Sequence, residues 1–76
     1  MTKKEWSIKF AKRIEYFLDR LDMYQIDLAV AAGITPVRLS RYLNGHHIPS
    51  ATVIVNIAKA LHVSSSDLID FGEWVD

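Results

Sequence analysis

Residues 25–49 read QIDLAVAAGITPVRLSRYLNGHHIP, and the centre of that stretch, Ala32-Gly33-Ile34-Thr35-Pro36, stops one helix and almost at once starts another. Gly33 suits the left-handed position just past a helix C-terminus, where a side chain costs about 1–2 kcal/mol. Thr35 can cap the following helix by accepting a hydrogen bond from an otherwise unpaired amide in its first turn. Pro36 then falls at the first helical position, where a missing N–H is harmless and the fixed φ is already helical. Two short helices with so tight a joint are expected to cross at roughly 90–120°. Asn44-Gly45 stops the second helix of the pair, and Pro49 prevents its continuation. Gly33, Thr35 and Gly45 are therefore the turn residues on which the fold depends.

Composition bounds what surrounds this joint. The 76 residues suffice for one small domain burying roughly 60% of the surface of its unfolded chain. Half are apolar and 24% are charged, which is not the composition of a disordered chain. Cysteine is absent, so disulfides and thiolate metal sites are excluded. No apolar run approaches the ~20 residues of a membrane span, because Asn56 and Lys59 interrupt the longest. Lys3, Lys4 and Lys9 are not followed by a signal-type apolar core, so a cytoplasmic protein without a membrane partner is expected. The formal net charge is zero, yet its distribution is uneven. Residues 28–66 contain Arg38, Arg41 and Lys59 and no acid, whereas residues 67–76 contain four acids and no base. Such a positive island is what an interaction face predicts.

Taken in order, Thr2-Lys3-Lys4-Glu5 reads as a capping box opening a first helix. Trp6, Phe10, Ile14, Phe17, Leu18 and Leu21 recur at intervals of three and four and form its inward stripe. Lys9, Lys12, Arg13 and Arg20 interleave with Glu5, Glu15 and Asp19 on the other faces, as a solvated surface. Tyr24 precedes the second helix, about 25–32, without a capping side chain, which leaves Asp22 as the candidate cap. That helix buries Leu28 and Ala29. The third, about 36–44, turns Ile34, Leu39 and Tyr42 or Leu43 inward and Pro36, Val37, Ser40, Arg41 and Asn44 outward. Ser50 caps a fourth helix, about 51–62, and Ser64 with Asp67 opens a short fifth one. The expectation is an all-α, compact five-helix domain over residues 1–76, with its core at about 7–70. The apolar tail, residues 71–76, has two readings. Phe71, Trp74 and Val75 either fold back against the first helix near Trp6 or form a self-association patch.

Gln25, Leu28-Ala29, Gly33-Ile34-Thr35, Leu39-Ser40-Arg41, Asn44-Gly45 and Pro49 together resemble the helix-turn-helix of the lambda-repressor/Cro-like family, also called XRE. The match continues through Ile57-Ala58-Lys59-Ala60-Leu61 and Val63-Ser64 to Leu68. It is the ordered set at this spacing that is specific, not any single piece. The resemblance implies a lambda-repressor-like fold with the second and third helices as the helix-turn-helix. It also implies sequence-specific binding of double-stranded DNA, usually as a homodimer on a two-fold operator. It carries over Gln25 as a phosphate clamp at the positive end of the second helix. Pro36, Val37 and Arg41 fall at the base-reading positions. Tyr24 departs from the pattern, which usually has Ser or Thr there.

The chemistry of the residues points the same way. The planar fork of Arg41 can donate two bonds to guanine O6 and N7, worth about 1–3 kcal/mol of discrimination. Pro36 and Val37 offer an apolar surface to a thymine methyl group. Arg38 lies off that line and suits a phosphate. Ser40 is small enough for close backbone approach, and Asn44 serves as a helix stop or a phosphate contact. His46 and His47 lie beside the groove and complete the phosphate-contacting set. Adjacent histidines in a loop lack zinc spacing, so no metal is expected, and no small-molecule ligand or cofactor is implied. No glycine-rich phosphate loop, nucleophile motif or base–acid pair suggests an enzyme.

The expected function is a transcriptional regulator, most simply a repressor of phage, plasmid or small bacterial type. The alternative is a protein-interaction module, or an antitoxin, using the same fold and the C-terminal tail to hold a partner. A phosphate role for the two loop histidines predicts tighter DNA binding in mildly acidic buffer, where imidazole gains charge. Titrations at about pH 5.8 and about pH 7.8 check this, and equal affinities discard it.

Overall fold

The helices begin where short polar side chains meet free amides. In the computed structural model, which describes residues 1–73, Thr2 Oγ1 accepts from the Glu5 amide at 3.1 Å and opens α1, Lys3–Leu21. Glu5 reciprocates toward the Thr2 amide. Thr35, Ser50 and Ser64 do the same for α3 (Pro36–Leu43), α4 (Ala51–Leu61) and α5 (Ser65–Ile69). The exception is α2, Gln25–Ala32. Tyr24 makes no side-chain cap; instead Asp27 accepts its amide at 2.9 Å. Asp22, expected to cap this helix, ends α1 instead, in a left-handed conformation. A 3-10 turn, Phe71–Glu73, follows α5, and there is no strand among the described residues.

Four helices end in one pattern. Met23 donates to the Leu18 carbonyl and Asp22 to Asp19; Ile34 and Gly33 do likewise to Ala29 and Val30. His46 and Gly45 close α3 on Arg41 and Tyr42, and Val63 and His62 close α4 on Ala58 and Lys59. Each reversal needs one residue at positive φ: Asp22 at 54°, Gly33 at 73°, Gly45 at 80° and His62 at 59°. The last carbonyls are thereby satisfied within the chain. Asn44 thus lies just outside α3, and His62 just outside α4. A Cβ on Gly33 would meet nothing, so its requirement is the backbone angle alone. One on Gly45 would also touch Ser7 Cβ at 3.5 Å.

Buried residues from all five helices join one cluster: Phe10, Ile14 and Leu18 with Leu28, Ala29, Leu39, Tyr42, Ile57, Leu61 and Leu68 among them. Each fully buried large apolar side chain contributes about 1.5–3 kcal/mol. α2 packs on α3 and α4, while α1 touches α3, α4 and α5. Leu21, read as inward, is exposed, because it lies beyond Leu18, where the buried stripe of α1 stops. Phe71 follows the fold-back reading of the tail: its ring meets Trp6 edge-on at 5.9 Å, and Trp6 stacks on Phe10. Trp74 and Val75 lie outside the described residues.

Arg13 departs most from the sequence pattern. Placed with the solvated charges by its spacing, it is only 3% exposed. Its guanidinium donates to the main-chain carbonyls of Asp67 at 2.9 Å and Asp70 at 3.0 Å, and lies 5.3 Å from the Phe71 ring centroid. The planar fork reaches the two carbonyls at the end of α5 from two separate nitrogens, whereas an ammonium must reach both from one. Arg13→Ala is expected to cost about 2–4 kcal/mol, with Arg13→Lys restoring only part of it. Denaturant midpoints at unchanged m-value measure both.

Candidate nucleic-acid interface

α3 is presented outward because its two faces differ in chemistry. Leu39 and Tyr42 are buried, and Thr35 and Pro36 fix its start. Opposite them, Pro36, Val37, Arg38, Arg41 and Asn44 are exposed, Val37 by 63%. Ser40 is half-buried between them. Two open grooves flank this face. One, of about 510 Å³, is lined by Val37, Arg38, Arg41, Tyr42, His47, Ile48 and Ser50. The other, of about 760 Å³, is lined by Pro36, Val37, Ser40, Arg41, Asn44, His46 and His47. Val37, Arg41 and His47 belong to both and form the ridge between them. The two linings contain arginine and histidine but no acid.

The polar groups of the face are held in place by their neighbours. Arg38 Nη2 donates to Tyr42 Oη at 2.7 Å, with the guanidinium carbon 5.8 Å from the ring centroid. Arg41 Nη1 lies 3.4 Å from His47 Nε2. Asn44 Nδ2 donates to the Ser40 carbonyl at 2.7 Å and to its hydroxyl at 3.2 Å, which matches the helix-stop reading of Asn44. Neither arginine of α3 is matched to a carboxylate among these contacts, so each keeps its full charge while its orientation is restricted.

Eight of the nine residues read from the sequence as base or phosphate contacts line these grooves. Gln25 does not. It is exposed at the first position of α2, outside both linings, and beside it the Asp27 carboxylate accepts the Tyr24 amide. A carboxylate in that first turn stabilises the helix end but opposes an incoming anion. The sequence reading did not place Tyr42, Ile48 or Ser50 at the grooves. The spacing of Arg38 and Tyr42, four apart on a helix, was the available signal for the first of these. Among the described residues no three of His, Asp and Glu gather as metal ligands, and no helix is long and apolar enough to cross a membrane.

Comparison with known proteins adds an independent line. A family model described as helix-turn-helix matches residues 7–68. The chain is similar to the restriction-modification controller protein C.AhdI from Aeromonas hydrophila, with TM-score 0.77 and 22% identity over 82% of this chain and 94% of that one. It is also similar to the clp gene regulator ClgR from C. glutamicum, with TM-score 0.76 and 18% identity over 93% and 96% of the two chains. The SOS-response transcriptional repressor LexA from Eubacterium rectale gives TM-score 0.79 and 22% identity over 100% of this chain and 82% of that one. At such identities these likenesses show the fold. No curated protein sequence matches the chain significantly.

Proposed function

We propose a function on one premise: the chain belongs to the XRE-type helix-turn-helix family of DNA-binding transcription regulators. The chain acts as a single domain that binds double-stranded DNA in a sequence-specific way and represses transcription by occupying promoter DNA. It works in the cytoplasm as a homodimer on a two-fold operator, with half-site centres about 34–36 Å apart. The observation that carries this reading is the acid-free outer face of α3, where Val37 and Arg41 stand side by side over the buried Leu39 and Tyr42. Arg41 reads guanine, Pro36 and Val37 meet a thymine methyl, and Arg38, Ser40, Asn44, His46 and His47 contact the backbone. Gln25 clamps a phosphate at the start of α2, in spite of Asp27.

A second reading is a protein-interaction module or antitoxin. The zero net charge and the exposed Ile26 (58%) and Val30 (74%) on α2 favour it. Salt separates the two readings. DNA binding must weaken steeply as salt rises, because condensed counterions are released on binding, whereas an apolar protein contact does not.

Selection of bound duplexes from random sequence, at stated salt, is the direct experiment. On a selected site, Arg41→Ala is expected to cost about 1–3 kcal/mol and to relax preference at one base pair, whereas Gln25→Ala weakens all sequences alike. Uniform loss in both variants would show that the division of labour is wrong. Binding insensitive to salt would favour the second reading.

A further inference from the structure

Resting on the DNA-binding reading, we infer that His47 is a positioning residue for Arg41: its imidazole holds the guanidinium with one edge free to read guanine. Arg41 carries a long stem and five N–H donors, and bidentate reading of a base edge requires a narrow range of orientations. The contact between Arg41 Nη1 and His47 Nε2, at 3.4 Å, engages one terminal nitrogen. The parallel N–H groups of Nη2 and Nε remain for guanine O6 and N7. A carboxylate in the place of His47 would orient the fork as well, but it would cancel the charge and repel the DNA backbone. A neutral acceptor orients without either effect.

The surroundings of His47 fit this role. His47 lines both grooves with Arg41, and Gly45 fixes the start of its loop through the paired bonds that close α3. The charged and titratable groups around it are Arg38, Arg41 and Tyr42 from α3 and His46 from the loop, with Ser50 at the start of α4. None of these is an acid.

The test uses the full chain and a selected duplex in which each guanine is replaced in turn by 7-deazaguanine, which lacks the N7 acceptor. The unaltered chain is expected to prefer guanine at one position by about tenfold. His47→Ala should lose most of that preference, read as the ratio of affinities for the guanine and 7-deazaguanine duplexes, whatever its effect on overall affinity. His47→Gln, which keeps a side-chain acceptor, should retain the preference. The inference is overturned if His47→Ala weakens every duplex equally, which marks a phosphate contact and nothing more, or if it leaves the guanine preference intact. Recovery of no preferred duplex by the unaltered chain would overturn the DNA-binding reading itself, and this inference with it.

Discussion

Left-handed backbone at four points, Asp22, Gly33, Gly45 and His62, governs where every longer helix of this protein stops. Helices of 8 to 11 residues, such as α2, α3 and α4, are marginal in isolation. They persist because each reversal returns two amides to the last turn and places the next helix against the same core. Two of the four positions are not glycine. At Asp22 and His62 the steric cost of the left-handed region is borne by a side chain, and the paired amide bonds offset it. The reversal at Gly45 has a second effect, because it sets the chain against Ser7 of α1 and so fixes where the His46-His47 loop begins.

Electrostatics then separates the outer face of α3 from the rest of a neutral molecule. Two unit charges 4 Å apart interact by about 1 kcal/mol in water and several times more near a protein surface, so local composition outweighs net charge at an interface. The α3 arginines have tyrosine and histidine as partners. The first acid met from that face along the chain is Asp27, on the preceding helix, and it is engaged with the Tyr24 amide. The balance of the molecule is thus zero while its outward helix remains cationic.

Much of this was legible from residue order. Gly33, Thr35 and Pro36 announced the joint between α2 and α3, and the capping pairs Thr2–Glu5 and Ser64–Asp67 announced α1 and α5, because each rests on interactions within a few residues. What could not be read depended on distant neighbours. Arg13 has the spacing of a solvated charge, and only the position of α5 turns it into a buried donor. Asp22 has the composition of a helix start, yet it serves as a helix end, since Asp tolerates the left-handed region and the chain needed a reversal there. At the grooves, the residue types pointed to the exposed face of α3. The pairings of Arg38 with Tyr42 and of Arg41 with His47 needed coordinates.

The buried guanidinium of Arg13 also has a bearing on how the protein comes into being. Its acceptors, Asp67 and Asp70, lie 54 and 57 residues further along the chain. During synthesis α1 emerges carrying a cation whose place in the core does not yet exist, and water must hold it until α5 leaves the ribosome. Completion of the hydrophobic centre therefore waits for α5, so a nascent chain stalled within α4 exposes its apolar stripes to chaperones and proteases.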